Sequence, residues 1–382
     1  MTAVVTDVHY RMAAALIRDL GEAGITVTAC ERVQYPAALG FASRYVSRRE
    51  ILPEEGYGEA LFALCREMAE NNGEKPVLLP VGAVTLALLA KERARFETVC
   101  ALLVPTEEQL RCFNDKAWLA RFAAGLGIAV PESYERNGQT PTAFFTSIHY
   151  PCVVKPICGE KFGLHAEKRY QIVKTAEECQ NAYEHFAAIT GEAPVVQEYL
   201  PGGGMGCSVL AKNGDVLAHI CHRRLREYPV TGGPSSCCET VDAPELVQMV
   251  KTLVRETGYS GVAMFEFKLD AAGKAYLLEC NPRVWGTYPL TRLSRSNFAE
   301  LWYHAAQGGE LPAYRAPERC KMAFYPSDLA AALGYLKRGN VRACFAAARD
   351  VFSPQVKNGL AERDDPGPGR AYWKSLLKGK LG

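Results

Sequence analysis

The sequence lacks any run of about 18 uncharged apolar residues, so no segment reads as a membrane-spanning helix. It lacks an excess of either charge. Its 44 Lys+Arg stand against 42 Asp+Glu, a net of +2, which excludes a general electrostatic grip on nucleic acid. No GxxxxGK[ST] occurs, so a P-loop enzyme is excluded, and no GxGxxG follows a first strand to mark a dinucleotide fold. The absence of GxSxG argues against a hydrolase elbow. Without HExxH or CxxC, neither a catalytic zinc nor a dithiol redox centre has support. Residues 1–10 have no basic leader region and already contain Asp7, so they do not read as a secretory signal. No solenoid, collagen or coiled-coil period is present.

What is present is an ordinary globular composition. The chain has 382 residues, 48% hydrophobic and 23% charged, enough for two or three domains with their own cores. Fourteen cysteines are scattered along it, from Cys30 to Cys344. In so long a chain this spread reads as a reduced, cytoplasmic protein rather than a disulfide framework. The adjacent Cys237 and Cys238 read as structural, because vicinal cysteines close a strained ring.

Along residues 1–112, short apolar β-branched runs alternate with amphipathic stretches. The runs include Ala3–Thr6, Ile25–Cys30 and Pro76–Gly82. This pattern implies βαβ units and a parallel sheet. A second unit is expected over 113–310, in two lobes that divide near residue 193. It opens with a capped helix from Asn114, and Asn213-Gly214 marks a hairpin. Residues 311–382 read as a helical segment. From Arg315 onward they carry 13 Lys+Arg against 6 Asp+Glu, either a solvated face or a surface for an acidic substrate or partner. The fold class is therefore α/β: an N-terminal parallel-sheet domain, a two-lobed domain and a short helical tail.

The segment with most chemistry is 261–283, two alternating strands joined at Asp270–Gly273. A tight turn there puts Glu266 opposite Leu277. Glu266 and Glu279 then become diagonal neighbours on one face, about 7–8 Å apart, with Asn281 beside them. Two carboxylates and an amide oxygen suit a hard cation such as Mg²⁺. The alternative is a pair of ordinary solvent-facing glutamates. Asn281-Pro282-Arg283 at the hairpin end weakens that alternative, since an Arg there suits phosphate.

FEFKLD…YLLECNPR resembles the metal-binding end of the ATP-grasp superfamily, in its carbamoyl-phosphate-synthase-like and biotin-carboxylase-like branches. The resemblance spans about residues 113–310. It implies that Glu266, Glu279 and Asn281 coordinate Mg²⁺ on ATP and that Arg283 contacts phosphate or a developing acyl phosphate. It further implies phosphate contacts by Lys116 and Lys155, a mobile lid at Gly159–Gly163 with Lys161 as a candidate contact, and adenine pairing by the backbone of Glu198, Tyr199 and Leu200. One departure is Met205, where many members of the family carry a ribose-holding acid.

His222–Thr240 adds an arginine cluster before a Gly-Gly-Pro-Ser loop. Arg224 and Arg226 can share a strand face, with His222 beside them, and Arg224 is a candidate to hold the acceptor or the acyl phosphate. Surface arginines before a turn are the alternative. The resemblance implies an ATP- and Mg²⁺-dependent ligase. A carboxylate would be activated as an acyl phosphate and an amine would attack it. Its substrates would be small molecules, with neither nucleic acid nor membrane as partner, and a homodimer is compatible. An ATP-dependent carboxylation or phosphorylation, or a nucleotide-binding regulator without turnover, stands as the alternative.

Overall fold

Three sheets organise the protein, and their strands follow the apolar runs of the sequence. A computed structural model describes residues 1–156, 164, 170–230 and 232–377. The first sheet is formed by β1 (Thr2–Val5), β2 (Thr26–Arg32), β3 (Val46–Leu52) and β4 (Val77–Leu79). Its order is β3-β2-β1-β4 and every pairing is parallel. Buried Ala3, Val4 and Val5 fill its centre, as expected of a strand covered on both faces.

The second sheet is small: β5 (Ser133–Tyr134), β6 (Cys152–Lys155), β7 (Gln171–Val173) and β8 (Val195–Glu198), in the order β5-β8-β6-β7. The third has seven strands. These are β9 (Gly204–Lys212), β10 (Asp215–Glu227), β11 (Ser235–Thr240), β12 (Gly261–Leu269), β13 (Ala275–Asn281), β14 (Lys321–Ala323) and β15 (Val356–Asn358). They run in the order β13-β12-β9-β10-β11-β14-β15. The chain passes from the second sheet to the third between Glu198 and Gly204, a few residues beyond the break expected near residue 193. After residue 310 three helices form, and β14 and β15 extend the seven-stranded sheet as well. The basic tail is thus partly built into the sheet.

The seven-stranded sheet has two differently covered faces. On one, Phe265, Phe267 and Cys207 pack under the helices Lys116–Gly125 and Pro244–Glu256. On the other, Val262, Met264 and Ile220 join the core of the first sheet through Leu16, Leu20 and Trp302. On that second face, rows of side chains cross β12, β9 and β10 in register. Val262–Leu210–Ala218 and Met264–Ser208–Ile220 are largely apolar; the next row is Glu266–Gly206–His222. The face turns from hydrocarbon to carboxylate within one pleat.

Among the described residues, thirteen cysteines are free, and no helix is long and apolar enough to cross a membrane. Cys237 and Cys238 are buried within β11, between β10 and β14.

Candidate active site

The hairpin does not have the register expected of a tight turn. Five residues, Asp270–Lys274, make the connection. The Asp270 carboxylate accepts from the amides of Ala272 (2.8 Å) and Lys274 (2.9 Å), and Gly273 takes φ 87°. A bulge then falls between the Phe267↔Leu277 and Glu266↔Glu279 pairs. Two corrections follow. Glu266 lies opposite Glu279, not Leu277, and Leu277 turns to the helix-covered face with Phe267. Met264 pairs with Asn281, so the two carboxylates and the amide still share a face.

Each carboxylate is met by its own cation. Lys116 Nζ lies 2.5 Å from Glu279 Oε2, and an Arg224 Nη lies 2.5 Å from Glu266 Oε2. Asn281 Nδ2 donates to Glu266 Oε1 at 3.3 Å, and Arg283 donates to Asn281 Oδ1 at 3.2 Å. Lys116 stands at the start of its helix because Asp115 caps it, accepting from Ala117 N and Trp118 N. Asn114, expected as the cap, ends the preceding helix instead.

Lys155 enters from the second sheet. It donates to Gln197 Oε1 at 2.8 Å, a partner that strand alternation alone did not single out. Burial, with the charge of Lys116, lowers its pKa to about 8, against the opposite pull of Glu279. Burial and the neighbouring charge of Glu279 push the Glu266 carboxyl up, against Arg224 and Lys116. Burial also acts on Glu279, but Lys116, Lys155 and Arg224 outweigh it and hold this carboxyl low.

Two glycines make room for this arrangement. A Cβ on Gly206 would stand 2.2 Å from the His222 ring, and one on Gly204 would stand 3.1 Å from Arg224 Cδ. Arg224 therefore crosses a bare stretch of β9 to reach Glu266 on β12. Both glycines lie in β9, Gly204 as its first residue. His222 is buried, with Thr287 Oγ1 at 3.3 Å, and burial with the nearby Arg224 lowers its pKa to about 3.

Arg226 does not share the role of Arg224. The ladder slips by one residue between them, so Arg224 lies opposite Cys238 and Arg226 opposite Cys237. Arg226 is buried between Asp328 and Asp350, at 2.8 Å from each. The shared face expected for the two arginines is broken by this bulge. Glu198 is the last residue of β8, its amide donating to Glu132 O. Tyr199 and Leu200 lie in the connection between the sheets. Met205 packs toward the helix-covered core, away from the carboxylates. Lys161, the segment Gly159–Gly163 expected as a lid, and Thr231 lie outside the described residues.

Residues 191–323 match the family described as "ATP-grasp in the biosynthetic pathway with Ter operon". The structure of biotin carboxylase from Campylobacter jejuni superposes with a TM-score of 0.63 at 16% identity, over 84% of this chain and 74% of that one. The chain has the ATP-grasp fold. The L-amino acid ligase of Bacillus licheniformis shares this ATP-grasp architecture, with a TM-score of 0.53 and 17% identity over 80% of this chain and 74% of that one. In sequence, the biotin carboxylase of a Nostoc species is 22% identical over 221 residues, 53% of this chain. The chain spans about half of that relative's length, 48%.

Two carboxylates face to face repel unless a positive charge lies between or beside them. Here the cations Lys116 and Arg224 do this. The same two carboxylates with Asn281 offer only oxygen donors on their acceptor side. That donor set fits a hard divalent ion and would not suit a soft one.

Proposed function

We propose that this protein is an ATP- and Mg²⁺-dependent ligase that converts a carboxylate to an acyl phosphate and passes it to an amine. One observation carries the reading. Lys116 pairs with Glu279, and Arg224, Asn281 and Arg283 are linked through Glu266; the two carboxylates stand opposite one another in register at the polar end of the sheet face, and Lys155 enters their field from the second sheet.

In this reading Glu266, Glu279 and Asn281 hold Mg²⁺, which when bound neutralises phosphate charge and fixes the phosphate oxygens in place. Lys116 and Lys155 hold the triphosphate, and the segment Glu198–Leu200 meets the adenine edge. Lys161 is the candidate lid contact. The acid substrate attacks the γ-phosphorus through a carboxylate oxygen and ADP leaves. The amine then attacks the acyl carbon, inorganic phosphate leaves with the C–O bond electrons and takes up the proton the amine loses, and an amide remains. Arg224 and Arg283 neutralise the developing charge. Such a reaction depends on placement and charge more than on a covalent nucleophile.

The test is Mg²⁺-dependent ADP release with a pool of carboxylates and amines. Wild type should release ADP and Glu279→Gln should not. No release from wild type with any pool would overturn the ligase reading. The names of the carboxylase relatives favour a second reading, in which bicarbonate is the acid; ADP release with bicarbonate alone would select it.

A further inference from the structure

The arginines buried in this fold are heavily paired. Arg18 meets Asp365 and Glu362, Arg226 meets Asp328 and Asp350, and Arg292 meets Asp19, Glu22 and Glu362. Arg11 is different. Its guanidinium carbon lies 3.6 Å from the centre of the Phe324 ring, and a Cβ on Gly286 would stand 3.7 Å from one Nη. Among the described residues, no carboxylate or carbonyl oxygen accepts a hydrogen bond from it. Burial pulls its pKa below the ordinary arginine range. Arg11 is half-buried, and none of its nitrogens is among the buried atoms that lack a partner, so a cation without a protein counter-charge here keeps its N–H groups open to an anion from outside.

Arg11 also stands beside the candidate site. Gly286 follows Arg283 by three residues, a step of at most about 10 Å. Tyr10, its neighbour in sequence, lies within the field of Arg283. Cys238, which senses the charge of Arg11, is paired in register with Arg224 on the adjacent strand. The first turn of the Arg11–Glu22 helix contains no acidic residue to compete for the guanidinium. With one face on Phe324, a planar guanidinium keeps its edge N–H groups for a planar oxyanion.

We propose that Arg11 holds a second carboxylate of the acid substrate, so that this substrate is a short dicarboxylic compound. It would react at one end near Arg283 and be gripped at the other by the N-terminal domain. The proposal rests on the ligase reading for which end reacts, but not for the grip itself.

The grip is tested by calorimetric binding of succinate, glutarate and adipate, each against its monomethyl ester, to the full chain without turnover. At least one diacid should bind wild type about tenfold or more tighter than its ester, the scale of one charge-assisted bidentate pair. Arg11→Gln should erase that difference. Arg11→Lys keeps the charge without the planar fork and should retain only part of it; it carries the test if the glutamine variant does not fold. Equal binding of diacids and esters by wild type, or discrimination unchanged in the variants, would overturn the proposal. Tighter binding of inorganic phosphate than of any diacid, lost in Arg11→Gln, would assign the site to a phosphoryl group and also overturn it. ADP release plays no part in this readout. A protein that binds diacids through Arg11 yet never releases ADP would sink the ligase reading and leave the grip standing.

Discussion

Glu266 and Glu279 stand directly opposite one another on β12 and β13, and each is satisfied by a different cation, Arg224 for the first and Lys116 for the second. Two acids this close titrate as a unit. Replacing either by Gln should lower Mg²⁺-dependent ADP release about 10²–10³-fold, the scale of removing one preorganised electrostatic group. The double variant should cost little more than either single one, because the pair acts together. Initial rates at varied Mg²⁺ check this; additive losses would argue for two independent sites.

Lys155, with its pKa lowered to about 8, should make nucleotide binding depend on pH. Above about pH 8 the ammonium is lost, so MgADP affinity should fall through this range. Lys155→Met should bind more weakly but show no such fall. The stability effect has a defined sign. The unfolded lysine keeps its proton up to its ordinary value of 10.5, whereas the folded one releases it near 8. Between these values the unfolded state binds more protons, and the apo protein should gain stability as pH rises. Urea midpoints from pH 7 to 10 for wild type and Lys155→Met would show it.

The two glycines of β9 should behave differently. At Gly206 a methyl group meets a buried imidazole at 2.2 Å, with no room to yield, so Gly206→Ala should lower the melting temperature clearly. At Gly204 it meets the flexible Arg224 side chain at 3.1 Å. Gly204→Ala should fold nearly as wild type and lose activity by displacing Arg224 from Glu266. Melting curves beside ADP-release rates separate the two.

Arg224 and Arg226, two residues apart, should divide stability from function. Arg226→Ala leaves Asp328 and Asp350 buried and short of a partner, and should cost about 3–5 kcal/mol in denaturant unfolding. Arg224→Ala, at the edge of the site, should cost far less stability and nearly all the activity. Equal effects on unfolding would contradict the bulge-separated roles.

A chemical approach to His222 gives a further check. Its pKa, lowered to about 3 from 6.5, means the unfolded state takes up a proton that the folded state refuses. Stability should therefore fall as pH drops below about 6.5, by up to about 1.4 kcal/mol per unit. His222→Gln should remove that part of the acid sensitivity, read as urea midpoints from pH 4 to 7.

Much of the site was legible in one dimension because its parts carry local signatures. Alternation in 261–269 and 275–281 placed Glu266, Glu279 and Asn281 on one face, and that face survives in the structure. The register did not follow from alternation. An Asp270 side chain that takes two backbone amides lengthens the turn, and a bulge re-aims the strand beyond it. Neither leaves a period-2 trace. The separation of Arg224 from Arg226 was hidden for the same reason: a one-residue slip reverses a side chain's face without altering the sequence pattern.

The order of apolar runs, turn residues and glycines determined by itself that this is an α/β chain with a carboxylate-bearing hairpin, since these signals act through local backbone preference and side-chain periodicity. Tertiary structure decided which charges meet. Lys116 reaches Glu279 from 163 positions away, Lys155 arrives from a different sheet, and Arg11 comes to lie on Phe324 and beside Gly286 only when the N-terminal domain packs on the seven-stranded sheet. Contacts between distant segments depend on how whole layers bury their apolar faces, and no local pattern records that.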